Sequence, residues 1–327
     1  MRYDITTVGT ASMDTFLELA DVTYKKDDTK NVNYYCFPVG GKVSITNLKE
    51  FFGGNATNTA IGLARLGIKT AILTSLDRGL RCQHLVAHLA KEGVATQFSK
   101  INDKGAINLA YILDWQKNKN DRVILSHHRP KDFTKLKWPK TDWIYLTALG
   151  EHYQTVTKQL PDGIKIAINP GGWEIGQGTQ FLLPVLKRTQ VLILNQSEAA
   201  KLANVDLADF NGHAVISRYN FLFKNLLKLG AEVVVITCGI HGAYSKSRIC
   251  DETFFAPALK VEAQEVTGAG DAFASGFLAA YVRGKKLIDC LRWGILDSTA
   301  CIQKIGAQNG LLHLPTLRKK YREEYKK

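Results

Sequence analysis

One aspartate in a glycine-rich turn carries the clearest chemistry in this chain. The stretch Glu265-Val266-Thr267-Gly268-Ala269-Gly270-Asp271 separates a strand-like run from the helix-like run Ala272-Phe273-Ala274-Ser275-Gly276-Phe277-Leu278. Phe273, Phe277 and Tyr281 fall four apart, the spacing of one helix face. The first amides of a helix lack internal partners and carry partial positive charge, so a small-residue turn in front of one can receive an anion. Asp271 falls in the first turn of that helix. A carboxylate beside a bound phosphate repels it and is a poor ligand for it. The chemistry open to such a carboxylate is that of a base taking a proton from an attacking hydroxyl. The plainer alternative, an aspartate that only complements the helix dipole, is preferred for this stretch taken alone.

Further polar clusters stand where strands should end. Residues 3–9 alternate and are β-branched, which predicts a first strand ending at Gly9, followed by the loop Thr10-Ala11-Ser12-Met13-Asp14. Ligands of parallel α/β sheets bind outside the carboxyl ends of the strands, where Asp14 could accept two hydrogen bonds from neighbouring sugar hydroxyls. A cap is an equal reading of Asp14. Gly53-Gly54 open a helix with Ala60, Ile61 and Ala64 on one face and Gly67 at its stop; Asn58 near its start can present an amide to a ligand. The apolar run from Gln190 leads into Asn195-Gln196-Ser197-Glu198, and the run from Ala231 leads into Thr237-Cys238-Gly239-Ile240-His241-Gly242-Ala243.

The elements that must position these residues alternate strand with helix. Strands at 69–74, 143–146, 164–170, 190–195 and 231–237, with helices over 82–92, from 197 onward and over 287–305, predict an α/β fold: a doubly wound, mostly parallel sheet flanked by helices. Two stretches break the rhythm. Thr15–Leu19, Tyr34–Phe37 and Lys42–Thr46 read as short strands, and Ile107–Leu113 and Arg122–Ser126 flank the polar turn Lys117–Asp121 as a hairpin. These insertions, at about 15–50 and 105–128 of a single domain spanning 1–327, are expected to pair into a small β-sheet over the ligand edge, a lid.

Composition bounds the class. With 45% hydrophobic and 22% charged residues the chain reads as a soluble globular protein, and no apolar run suffices for a bilayer. The start at Met1 enters a strand pattern with no signal-peptide run, and six scattered cysteines without a Cys-x-x-Cys pair read as free thiols, so a cytoplasmic protein is expected. The formal net charge of +13 is spread along the chain, which suits an anionic nucleotide substrate at least as well as nucleic acid. Neighbouring His127 and His128 alternate across a strand and do not read as a metal pair, and the five tryptophans read as packing residues.

Taken together, these clusters resemble, in order and spacing, the ribokinase-like (PfkB) family of carbohydrate and nucleoside kinases, from Gly9 to about Leu314. Gly53-Gly54…Asn58…Leu66-Gly67, Asn195-Gln196-Ser197-Glu198, the stretch Thr237–Ala243 and the run from Gly268 to Gly276 are similar to four of its motifs. The resemblance implies an ATP-dependent kinase acting on a hydroxyl of a small sugar or nucleoside. Asp271 would be the general base, and Gly268, Ala269 and Gly270 the anion hole. Asn195, Thr237, Gly239 and Gly242 would line the nucleotide, and Glu198 would hold Mg2+, through water. Asp14, Gly54 and Asn58 would hold the sugar. It also implies a homodimer formed through the lid, and a K+ site at Glu265, where the family has Asp. Further departures are Asn55 where many members carry Lys, Gly171 where an Arg is common, and Ser75-Leu76-Asp77-Arg78-Gly79, which only approximates Gly-x-Asp-x-x-Gly. The missing Lys, with no basic cluster beside Asn58, points to a free sugar or a nucleoside rather than a sugar phosphate. A non-catalytic sugar- or nucleotide-binding regulator of the same fold is the alternative. A dinucleotide-dependent oxidoreductase would need Gly-x-Gly-x-x-Gly after the first strand, which is absent.

Overall fold

The computed structural model describes residues 1–20, 22–27, 32–103, 107–114, 122–210 and 214–326. The expected turn Lys117–Asp121 and Trp115 lie outside them. In chain order the elements begin with β1 (Tyr3–Val8), β2 (Ser12–Leu19), β3 (Thr23–Asp27), β4 (Val32–Cys36), β5 (Ile45–Gly53), α1 (Asn55–Arg65) and β6 (Thr70–Leu73). Next come the two-residue strands β7 (Ser75–Leu76) and β8 (Lys100–Ile101) around α2 (Leu80–Lys91), then β9 (Asn108–Asp114) and β10 (Arg122–His127). The regular part follows as β11 (Thr141–Leu146), α3 (Tyr153–Thr157), β12 (Lys165–Ile168), α4 (Gly172–Gly176), α5 (Thr179–Leu186), β13 (Thr189–Asn195), α6 (Gln196–Ala203), α7 (Val215–Lys228) and β14 (Val233–Thr237). The chain closes with β15 (Ala243–Ser247), β16 (Cys250–Ala256), α8 (Ala269–Tyr281), α9 (Leu287–Ile302) and α10 (Leu314–Tyr325).

Eight strands form the main sheet in the order β16-β15-β14-β13-β12-β11-β1-β6. β6 through β14 run parallel, and β15 and β16 add an antiparallel edge. The near-continuous apolar strands bury both faces. On β13 and β14, Leu192, Leu194, Val234 and Ile236 join one core with Leu182, Leu222 and Phe223, while Val191, Ile193, Val233 and Val235 join the other with Phe277, Leu291 and Trp293. Chain order reverses between β1 and β11, where a doubly wound sheet opens a crevice at its carboxyl edge.

The insertions form a second sheet, ordered β10-β9-β2-β5, with β3 and β4 as a separate hairpin. Asp14 is therefore not in a loop after β1. It lies inside β2, opposite Phe51 on one side and Ala110 on the other, because residues 12–19 find strand partners on both edges. The strand expected at 42–46 instead begins at Ile45 and continues to Gly53, paired with β2 throughout. The approach to the glycine turn is also irregular over 257–267 rather than a strand.

Helix α8 is buried along nearly its whole length and packs between α1 and α9. A Cβ at Gly62 of α1 would collide with Ser275 of α8, and one at Gly276 would meet the Trp293 backbone of α9. The aromatic face expected on α8 is present, with Phe277 stacked between Phe273 (6.2 Å) and Tyr281 (5.9 Å).

On α9, Asp297 is wholly buried: Oδ1 accepts from the Leu312 N–H at 2.8 Å, and Oδ2 has no partner among the described residues. Burial pushes its carboxyl up to about 7. The unfolded chain releases this proton near pH 4, so stability contributed by the neutral acid is full below that and is lost as pH rises toward 7. Asp297→Asn should remove that slope and raise stability at pH 8 relative to pH 4 by roughly 2–4 kcal/mol against wild type, read from urea unfolding at the two pH values.

Candidate active site

Asp271 is set in place by two asparagines on the facing helix. Its Oδ2 accepts from Asn58 Nδ2 at 2.9 Å and its Oδ1 from Asn55 Nδ2 at 3.1 Å. The two asparagines stand three apart at the start of α1, on one face, and the missing side chain at Gly62 lets α1 come close enough to α8 to reach. Gln308 Nε2 donates to Asn58 Oδ1 at 2.9 Å, and His88 Nε2 lies 2.9 Å from Gln308 Oε1. With the amides so oriented, a chain of donors points at the carboxylate. Asp271 is 7% exposed. Burial raises its pKa to about 6 against the two asparagine bonds, and the charge of Asp14 adds to the rise. A carboxylate in that range is ionised at neutral pH and is still a competent base.

The turn before it has a conformation that favours glycine. Gly268 caps α8 at φ +82°, and a Cβ there would collide with Ala307. Ala269 N–H is already bonded to Val266 O at 3.2 Å, whereas the amides of Gly268, Gly270 and Asp271 have no partner among the described residues. A Cβ at Gly270 would meet nothing within 4 Å. Of the three residues expected to form an anion hole, Gly268 and Gly270 therefore keep an unbonded amide, Ala269 does not, and Asp271 adds one. Glu265 is buried, and its Oε1 accepts from both Thr267 N (2.8 Å) and Thr267 Oγ1 (2.7 Å), bracing the turn.

The second polar cluster closes the end of β13. Asn195 and Glu198 form a reciprocal capping box on α6, each side chain accepting the other's backbone N–H at 2.9 Å. Burial raises the Glu198 carboxyl. Thr237 ends β14 beside Asn195, and Gly239 opens onto free space. A side chain at Gly242 would strike Ala256, Pro257 and Ala258, so the close approach that requires glycine there is made by the chain itself. Tyr145, fully buried on β11, lies within the fields of both Asp271 and Glu198.

At the switch point between β1 and β11 lies a cavity of about 600 Å3. Thr10, Ala148–Gly150 and Gly171–Glu174 form its wall from the strand ends; Asn55 joins it to the base, and Asn108 and residues 128–131 come from the foot of the small sheet. Glu174 is 0% exposed, and its carboxylate accepts from Leu149 N (2.7 Å), Gly150 N (2.8 Å) and Gly171 N (3.1 Å). Gly171 is glycine because a Cβ there would press on Ala148. Asp77, from the partial Gly-x-Asp-x-x-Gly match, caps Gly79 and pairs with Arg129 at 3.3 Å, anchoring the 128–131 segment.

A buried carboxylate at a helix start and a cavity at the switch point can be set beside comparisons with known proteins. The model of the pfkB family carbohydrate kinases matches residues 27–161 and 176–314. This chain belongs to the PfkB family of carbohydrate kinases. It is 28% identical over 262 residues to an uncharacterized sugar kinase of Archaeoglobus fulgidus, covering 77% of this chain and 98% of the relative. The fold superposes on the nucleoside kinase of Methanocaldococcus jannaschii with a TM-score of 0.76 at 17% identity, covering 98% and 99% of the two chains. It superposes on Arabidopsis thaliana ribokinase, solved with ribose and ATP, with a TM-score of 0.75 at 19% identity, covering 98% of each. Membership makes the chain a phosphotransferase with an alcohol group as acceptor.

The residues expected to form the site divide on inspection. Asp271, Asn58 and Gly268–Gly270 come together, and Asn195, Glu198, Thr237 and Gly239 form the neighbouring cluster. Asn58 does not present a free amide: it is 4% exposed, donates to Asp271 and accepts from Gln308. Gly54, at φ +98°, packs against the backbone of Thr10 and Ala11. Asp14 bonds Ser12 at 2.9 Å, and its carboxyl is raised by burial and by Glu265. Neither Asp14, Gly54 nor Asn58 is among the residues lining the cavity. Lining residues that the motifs did not single out include Asn108, Arg129, Lys131, Glu151, His152 and Glu174. Trp173, expected to pack inside, is 46% exposed at the cavity. Among the described residues no group of three potential ligands suits a metal ion by itself, and no helix is long and apolar enough to cross a membrane.

Proposed function

We propose that this chain transfers the γ-phosphate of ATP to a hydroxyl of a small sugar or nucleoside, with Asp271 as general base. The observation that carries this is the buried Asp271 carboxylate, fixed by Asn55 and Asn58, next to unpaired amides and to a cavity of substrate size. Asp271 takes the proton as the hydroxyl attacks, and the amides of Gly270 and Asp271 receive charge on the transferring group. Asn195, Thr237 and Gly239 line the nucleotide side. Glu198 keeps one carboxylate oxygen outside its capping bond, which suits Mg2+ held through water. Mg2+ bound with ATP supplies charge neutralisation at the phosphates. Glu265 places a buried carboxylate at the turn, where its charge would favour K+. The small sheet acts as a lid, and its exposed Leu48, Val123 and Leu125, which share one face by register, support a homodimer through that face.

A phosphorylation screen over sugars and nucleosides, with and without K+, tests the reading; no transfer to any acceptor would overturn it. The acid limb of kcat/KM should follow Asp271. Protonation removes the base, so the rate should fall tenfold per pH unit below about pH 6 and level off above it. A flat profile between pH 5 and 8 would sink the assignment of Asp271.

A further inference from the structure

The cavity beside Asp271 holds a positive charge with no ion-pair partner among the described residues. Lys131 is half-buried in its wall, and its ammonium donates to Asn108 Oδ1 at 2.6 Å and to the Arg129 carbonyl at 3.0 Å. Both acceptors are neutral, and Lys131 makes no ion pair among the described residues. The nearby acids are otherwise engaged. Glu174 lies under three backbone N–H groups, Asp77 is paired with Arg129, and Asp132 accepts from Thr134 and faces Lys100 at 3.8 Å. Glu151 also lines the cavity and its field reaches Lys131, but it forms no ion pair with Lys131 among the described residues, stands 3.7 Å from His152, and at 81% exposed is heavily screened.

Taking a cation out of water without an opposite charge is unfavourable, and a binding site tolerates it when the ligand brings the countercharge. His152 and Arg129 line the same cavity and add donors, not negative charge. Asn55 ties the cavity to the base, so one molecule filling it meets Lys131 and the Asp271 side together.

We propose that the acceptor carries an anionic group, a carboxylate or a phosphate, which binds Lys131 while the hydroxyl to be phosphorylated faces Asp271. This rests on the kinase reading above and narrows it: neutral sugars and nucleosides become the weaker acceptors. It also reverses the expectation drawn from Asn55 and the absence of a basic cluster beside Asn58. The positive charge comes instead from the segment that follows the second lid insertion.

Calorimetric titration of the full chain at low ionic strength tests it, with D-gluconate, D-fructose 6-phosphate, D-fructose and inosine as probes. At least one of the two anions should bind at least tenfold more tightly than fructose and inosine. Lys131→Met should weaken that anion tenfold or more and leave the neutral probes unchanged, and Lys131→Arg should restore most of the loss. Preference for gluconate identifies a carboxylate, and preference for fructose 6-phosphate identifies a phosphate. Tighter binding of a neutral probe, no binding of either anion, or an anion affinity indifferent to Lys131→Met overturns the proposal. Phosphoryl transfer is assayed separately. Transfer to neutral acceptors only overturns this proposal and spares the kinase reading. Anion binding lost in Lys131→Met without transfer to any acceptor spares the anion site and overturns the kinase reading.

Discussion

Asp271→Asn should lower kcat by about 10³–10⁴-fold while leaving the affinity for ATP within about twofold of wild type. The substitution keeps the shape of the side chain and removes its capacity to take a proton. The energetics make the contrast sharp. Asp271 is a buried carboxylate whose pKa stands near 6 because burial outweighs two hydrogen bonds. At pH 8 the fold bears the cost of holding it charged, so Asp271→Asn should unfold no earlier than wild type even though one of its two asparagine partners loses an acceptor. A stable, ATP-binding, inactive protein is the signature of a lost base. Loss of ATP binding with per-complex turnover unchanged would mean that Asp271 acts in binding. Asn58→Ala supplies an independent check. Removing a donor to the charged form disfavours that form, so the acid limb of kcat/KM should move toward neutral pH. An unmoved limb would mean that the Asn58 bond does not set the ionisation of the base.

What the sequence revealed, and what it hid, follows from how local each signal is. Gly268-Ala269-Gly270-Asp271 is legible because glycine at positive φ and an acid in the first turn of a helix are decided within a few residues. The parallel strands are legible because burial on both faces writes unbroken apolar runs such as Val233–Ile236. Asp14 was misplaced because a strand that pairs on both edges with remote segments, 45–53 and 108–114, leaves no local mark on a polar sequence such as Ser12-Met13-Asp14. Asn55 and Asn58 were both noticed, but their common partner is more than two hundred residues away, and only the close contact at Gly62 turns a helix face into a cradle for Asp271. Asn195 and Glu198 show the converse. Their spacing is also that of a capping box, and the structure uses both side chains that way, which leaves one Glu198 oxygen for any further role. Lys131 had no signal at all. A lone lysine among charged neighbours reads as surface, and it is burial beside Asn108 that gives it meaning.

Glu174 carries the second large effect, and it is structural first. Glu174 is wholly buried and gathers the N–H groups of Leu149, Gly150 and Gly171. Those amides begin the loops after β11 and β12, so one carboxylate ties together two walls of the cavity. Glu174→Ala leaves three buried or half-buried donors without their acceptor and a void where the side chain stood. Charge-assisted bonds are worth about 1.5–3 kcal/mol each, and after relaxation and water entry the net loss should be roughly 3–5 kcal/mol, measured by urea unfolding. Glu174→Gln keeps one oxygen for Leu149 and Gly150 and turns an NH2 toward the Gly171 N–H, so it should fall between the two, losing roughly 1–3 kcal/mol. The functional consequence follows from geometry. The loops line the cavity proposed for the acceptor and not the Asn195–Thr237 side, so acceptor KM should rise about tenfold or more in both variants while ATP KM changes little. Equal increases in both KM values would mean that Glu174 supports the sheet edge as a whole. An unchanged acceptor KM in a destabilised protein would mean that the loops hold their shape without it.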